Sequence, residues 1–186
     1  MKKLMTVLIS TVCLIVFAAS ALAGAGLSFT KCDFHGGQKL PVYSGPGHEY
    51  VRGADGWANV STDDVVYAAG MENGWALVMY ETGAGNGKGG GSVRVGYVDL
   101  SQLQYNIKTL KLSELSFSYA RATITKGCTL TDDPALNNRS LAFMAEGASV
   151  TYLASFYMHR NWAYIETWVN GRPVRAFVPA DCVSVN

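Results

Sequence analysis

From Asn161 to Val169 the chain reads Asn-Trp-Ala-Tyr-Ile-Glu-Thr-Trp-Val, and after Asn170-Gly171 a similar run resumes as Val174 to Val178. Alternating aromatic and β-branched residues predict a strand, and an Asn-Gly break between two such runs predicts a two-residue hairpin turn. A second version lies upstream. There Gly74-Trp75-Ala76-Leu77-Val78-Met79-Tyr80 is followed by a glycine-rich loop, and Val93 to Val98 resumes the strand. The flanks match as well: Leu40 to Pro46 corresponds to Cys128 to Pro134, and Val65 to Ala69 to Val150 to Ala154. From Pro46 to Trp75 is 29 residues and from Pro134 to Trp162 is 28, so the two registers agree to one residue. The main length difference lies inside the hairpin, where Trp75 to Tyr97 spans 22 residues and Trp162 to Phe177 spans 15.

A repeat of this kind divides the chain into two units, 38–103 and 119–186, joined by a linker at 104–118. The linker has no sustained helical period, and its Leu110, Leu112 and Leu115 are expected to pack between the units. Strands this short, broken by turn signals and without a long amphipathic helix, predict an all-β chain with a small antiparallel barrel in each copy. Closure would remove the exposed edges that a lone four- or five-stranded sheet presents.

Residues 1–23 read as an export signal, with Lys2-Lys3 as charged start, an apolar stretch from Leu4 to about Phe17, and Ala21-Leu22-Ala23 as cleavage site. The rival reading is an uncleaved anchor, since about 20 apolar residues can cross a bilayer. The Ala-x-Ala and the small residues after it favour cleavage, which puts the mature start at Gly24, no membrane span after it, and a secreted or envelope location. Residues 24–37 read as a loosely ordered lead-in. Loss of Lys2 and Lys3 from the 15 basic residues leaves 13 against 14 acidic, a balance with no electrostatic reason to bind nucleic acid or anionic lipid.

The candidate chemistry is sparse. Gly85, Gly87 and Gly90 satisfy a G-x-G-x-x-G pattern, but a strand follows where a phosphate site needs a helix N-terminus, so a hairpin extension is the better reading. Cys32 and His35 are spaced like metal ligands without a second pair, so no metal site is expected. His35, His48 and His159 are scattered, with no serine elbow, no H-E-x-x-H and no framed carboxylate pair. No cofactor is implied. The sequons at Asn59 and Asn138 are read as chance.

Alternation along the C-terminal hairpin puts Trp162, Tyr164 and Trp168 on one face and Ala163, Ile165 and Val169 on the other, with Trp75 and Leu77 on the corresponding outer face of the first copy. One reading is a groove where these rings stack on a sugar or peptide; the other is that loops cover Trp75 and Trp162 as extensions of the core. Tyr43, Trp57, Tyr157 and Trp168 are the looser aromatics. Together Tyr43, Trp57, Trp75, Tyr157, Trp162, Tyr164 and Trp168 form the candidate ligand set. Of the thiols that remain after Cys13 leaves, Cys128 and Cys182 stand at the two ends of the second copy. A disulfide between them is one reading, and buried or free thiols are the other.

A strand ending in Ser44-Gly45-Pro46, a later Gly74-Trp75-Ala76, and a closing Gly96-Tyr97-Val98 or Ala176-Phe177-Val178-Pro179-Ala180-Asp181 resemble bacterial Src-homology-3 domains, small five-stranded barrels found in exported envelope proteins. The resemblance covers nearly all of the mature chain as two tandem SH3-like barrels. It implies an exported, non-catalytic protein that binds cell-wall peptidoglycan peptides or other envelope material; the alternative is a docking module for another exported protein, with a cell-wall hydrolase third. The second copy departs from the pattern at Thr131-Asp132-Asp133-Pro134, where Ser-Gly-Pro is expected.

Overall fold

The structure is a computed structural model that describes residues 26–32, 34, 37–62, 65–82, 92–104, 111–135 and 140–186, without the side chains of residues 54 and 55. The export signal, His35, Leu110, Asn138 and the glycines of the 83–91 loop lie outside the described residues.

The described residues are all-β apart from a four-residue helix at Gly53–Gly56 and 3-10 turns at Leu100–Gln102 and Ala180–Cys182. The first half contributes β1 (Thr30–Cys32), β2 (Lys39–Pro41), β3 (Asn59–Ser61), β4 (Val66–Glu72), β5 (Trp75–Glu81) and β6 (Val93–Asp99). The second half contributes β7 (Ala120–Ile124), β8 (Cys128–Leu130), β9 (Ala142–Met144), β10 (Ser149–Met158), β11 (Arg160–Val169), β12 (Arg172–Pro179) and β13 (Val183–Val185).

The repeat is carried into topology. One sheet has the order β1-β4-β5-β6 and the other β12-β11-β10-β7-β13, so β7, β10, β11 and β12 stand where β1, β4, β5 and β6 do. Two short ladders, β2-β3 and β8-β9, also correspond. Even the irregularities repeat: β4 is bulged between Ala68 and Gly70 and β10 between Tyr152 and Ala154. A bulge bends its strand and sharpens the local twist, which lets each sheet curl over its own core.

The predicted hairpin is present. Asn170 and Gly171 both have positive φ, 50° and 77°, as a turn of the type that matches strand twist requires. Asn73 and Gly74 repeat this geometry between β4 and β5 at 52° and 81°. Two features differ from the sequence reading. Residues 30–32, inside the stretch taken as lead-in, form β1 and pair with β4 from Thr30↔Ala68 to Cys32↔Val66. Among the described residues neither half closes into a barrel through backbone pairing, because single bridges, Tyr43↔Tyr97 and Thr131↔Phe177, are what tie the chain after β2 and β8 to the main sheets there.

Among the described residues there are three apolar clusters. One belongs to the first half, around Leu40, Val66, Ala76 and Val98, with Leu112 of the linker packed on it. One belongs to the second half, around Ile124, Leu130, Ile165 and Val178. The third is shared: Trp75, Leu77, Val95 and Tyr97 meet Leu153, Phe156, Trp162, Tyr164 and Phe177, with Leu115 and Phe117 of the linker against them. Each large side chain buried there contributes roughly 1.5–3 kcal/mol of gross hydrophobic stabilisation. Parting the halves would therefore re-expose as much as the net stability of an ordinary domain, about 5–15 kcal/mol. The halves are bonded as one core.

The linker follows this seam. Met71 N–H donates to Ser113 O at 2.9 Å and Leu115 N–H to Met71 O at 2.7 Å, beside Gly70. A Cβ on Gly70 would lie 2.6 Å from Ser113 O, and its φ of +153° suits glycine alone.

Reciprocal arginines complete the union. Arg172 on β12 donates to the carbonyls of His48, Glu49 and Tyr50 at 2.9, 2.9 and 2.5 Å, holding the loop after Ser44-Gly45-Pro46. Arg94 on β6 in turn holds the second half's loop, with Nη1 3.0 Å from Asp133 and 3.6 Å from Asp132. The two aspartates that break the Ser-Gly-Pro pattern are thus contacts between the copies. Arg94→Ala leaves both carboxylates buried without this cation, and urea unfolding should show a loss of about 3–5 kcal/mol. In an Asp132→Asn/Asp133→Asn background the same substitution should have a clearly smaller effect.

Candidate functional site

The outer face of β11 carries Trp162, Tyr164, Glu166 and Trp168, while Ala163, Ile165 and Val169 turn to the second half's core. That face has two fates along its length. At the near end the first half lies on it, leaving Trp162 and Tyr164 only 1% exposed. At the far end it runs out from under the first half, and Trp168 is 70% exposed.

Between the two ends sits Arg175 on β12, directly across from Glu166 and 4% exposed. Its Nε donates to Glu166 Oε2 at 2.6 Å, and its Nη1 donates to Glu72 Oε2 at 2.5 Å and to the Tyr97 hydroxyl at 3.1 Å. Tyr119 donates to Glu72 Oε1 at 2.6 Å and Tyr50 to Glu166 Oε2 at 2.8 Å. The rings of Tyr50, Tyr97, Phe117 and Tyr119 lie 5.5–5.9 Å from the guanidinium carbon, within cation–π range.

Titration follows from this packing. Burial alone would raise the Glu72 carboxyl, but hydrogen bonds from Arg175 and Tyr119 outweigh it and hold the group below its usual range. Burial raises Tyr50 to about 12 and pushes Tyr97 and Tyr164 well up, so these phenols keep their protons at any ordinary pH. A Glu72 carboxylate held charged against a permanently charged guanidinium offers no proton to exchange near neutrality. The cluster is a strut.

On the open side of that strut, pairing lines up four strands. Arg121 of β7 faces Thr151 of β10, Thr151 faces Glu166 of β11, and Glu166 faces Arg175. A shallow groove of about 760 Å³ lies over this row, lined by Arg121, Ser149, Thr151, Glu166, Trp168 and Asn186. Its wall is one exposed indole and its floor is polar. Glu166 is fixed from behind by Arg175 and Tyr50, both bonds falling on Oε2. Such a lane can stack a flat or apolar group on Trp168 and bond amides, hydroxyls, a cation and an anion along its floor.

The seven aromatics singled out in the sequence do not converge. Trp162 and Tyr164 are buried in the shared core, and so is Trp75, whose ring lies edge-on to Tyr43 at 5.5 Å and His48 at 4.9 Å. Trp75 is covered in part by Tyr43 and His48 of its own copy's first loop, as the loop-covered reading expects, and the cluster holding Trp162 and Tyr164 also takes in Leu77, Val95 and Tyr97 of the other half. Trp57 stands exposed in a separate hollow with Asn59, Thr82 and Arg94, and Tyr157 is exposed near the end of β10. Only Trp168 meets polar neighbours in the larger groove. Glu166 was legible, two residues from Tyr164 and from Trp168 on the same face; Arg121, Ser149 and Asn186 reach the site through pairings that local sequence does not encode.

His48 Nε2 lies 3.7 Å from Asp99 Oδ2, but Ser101 donates its hydroxyl to Asp99 Oδ1 at 2.6 Å. A nucleophile is activated by donating to the base, and here the hydroxyl donates to the carboxylate that caps the Leu100–Gln102 turn. Cys32, Cys128 and Cys182 are all thiols in this structure. Among the described residues no group of three or more His, Cys, Asp and Glu is placed to hold a metal, and no helix is long and apolar enough to cross a membrane.

No family model matches this chain, and no curated protein matches it. Among solved structures it is similar to one described as the structure of NlpC2 from Trichomonas vaginalis, at 14% identity and a TM-score of 0.31, over 86% of this chain and 49% of that one. The chain spans about half the length of that structure, and a likeness at this level carries no weight below.

The Glu72 carboxylate supplies a pH test. A carboxyl held low in the folded state contributes stability that is complete above its unfolded pKa of about 4.3 and is lost as pH falls through the folded value. Glu72→Gln should therefore flatten the acid limb of a stability-against-pH curve measured by urea unfolding, with its largest loss relative to the parent above about pH 4.3.

Proposed function

We propose that this is an exported, non-catalytic binding protein of two Src-homology-3-like copies, and that its ligand is cell-wall peptide seated in the groove beside Trp168. The observation that supports it is the exposed Trp168 indole bordered by Arg121, Thr151, Glu166 and Asn186, with Glu166 braced from the interior. Wall peptides carry amide backbones, carboxylates and amines. An extended strand of that kind matches a lane with one cation, one carboxylate, and hydroxyl and amide groups between them.

The location of the groove answers a difficulty. In both copies the first loop, which would be a natural ligand-contact element, is held by an arginine of the other copy. A ligand surface must lie elsewhere, and the far end of the second sheet is open. Because the halves share a core, avidity between two independent modules is not part of the reading.

Export through residues 1–23 belongs to the same proposal. It rests on the charged start, apolar stretch and Ala-x-Ala of the sequence.

The test is retention of purified protein on protein-free sacculi. Trp168→Ala should weaken retention roughly 10- to 100-fold, as removing a central aromatic anchor does, while Trp57→Ala leaves it unchanged. Trp168 is exposed, so its loss should leave the unfolding midpoint in place. Retention that is absent on bare sacculi and appears only when wall proteins are present would replace this ligand with a protein partner.

A further inference from the structure

The end of the second copy carries a pair of thiols that the binding reading does not use. Cys128 opens β8, and Cys182 closes the 3-10 turn before β13; both face the second half's apolar cluster, 8% and 3% exposed. Each thiol lies near enough to the other to bear on its ionisation, and the Cys182 thiol donates to Asp181 Oδ1 at 3.7 Å. The backbone brings them together: Ile124 pairs with Val183, and Thr125 N–H donates to Cys182 O at 2.8 Å.

The equivalent joint in the first copy is fastened differently. There Gln38 donates to Gln102 O at 2.5 Å and accepts from Gln104 N–H at 3.1 Å. In the second copy the polar tie is Lys126 to Asp181 at 2.7 Å, with side chains 56% and 65% exposed. An ion pair that wet contributes little, so this joint lacks a strong polar fastening.

We propose that Cys128 and Cys182 are a disulfide-forming pair that locks the two ends of the second copy together once the chain meets an oxidant. The oxidant is a disulfide, either a small molecule or a protein. A thiolate of the pair attacks it, forming a mixed disulfide and releasing one oxidant thiol; the second cysteine then attacks the mixed disulfide and releases the other. The two cysteines lose two electrons, the oxidant gains them, and both cysteine protons end on the released thiols. Burial raises the folded Cys128 thiol to about 12, so the exchange belongs to the assembling chain, before β8 and the Ala180–Cys182 turn close. Cys32 packs instead on the first copy's cluster.

The full chain, reduced and unfolded, is refolded with oxidised glutathione or with reductant, then alkylated, digested and mapped by mass. The expected result is a Cys128–Cys182 linked peptide, alkylated Cys32, and a thermal midpoint roughly 5–15 °C above the reduced protein. Cys32→Ser should change none of this. Protein made in an oxidising compartment and mapped without refolding gives a second readout on the same criteria. Alkylation of both Cys128 and Cys182 after oxidation, a bond to Cys32, or an unchanged midpoint would overturn the proposal.

Discussion

A guanidinium buried where two sheets meet can be satisfied in very few ways. Arg175 takes Glu166 from its own sheet and Glu72 from the other, with four aromatic rings around it. Burying a guanidinium and half-burying its two carboxylates carries a desolvation penalty, so the cluster is a poor way to add stability and a good way to select one arrangement. If the halves slip relative to one another, a carboxylate or the cation loses its partner in a dry environment. The apolar seam around Trp75, Trp162 and Phe177 supplies non-directional attraction, and the Arg175 cluster selects the orientation in which that attraction is realised. The groove depends on this choice, because the same Glu166 oxygen that anchors Arg175 fixes the groove floor.

The duplication explains both what the copies share and how they diverge. Strand order, bulge and Asn-Gly turn geometry recur, since each copy must curl a sheet over its own small core. The contacts between copies do not recur. Arg172 grips backbone carbonyls while Arg94 grips two aspartates, and the far ends carry a glutamine tie in one copy and an exposed ion pair in the other. A surface that faces its own relative must become complementary to it, and two initially identical surfaces achieve that by changing separately.

The hairpins, the repeat and the all-β class were legible because alternation and Asn-Gly are local signals. The outward set of aromatics was also read correctly as a face. Burial of Trp75 and Trp162 as extensions of the core was one of the two readings offered, and Trp75 does lie against Tyr43 and His48 of its own first loop; the other copy's share of the cover was not legible, because it depends on pairings more than a hundred residues apart, such as Glu72 with Arg175. The first strand was missed for a related reason. Thr30–Cys32 has no strong strand composition and is recruited by the open edge of β4. In the groove, Trp168 and Glu166 could be found from one strand's alternation, while Arg121 and Asn186 arrive from β7 and the C-terminus.

Tandem repeats are often interchangeable parts that can be excised, multiplied or moved between genes. Here each copy keeps its partner's loop in its own grasp, and the face each would show to solvent is covered with tryptophan, tyrosine and phenylalanine. The heritable unit is consequently the pair. A reading frame carrying one copy alone would encode a sheet with a greasy, charge-bearing side and no native occupant for it, so lineages that recombine this fold are expected to inherit both copies or neither.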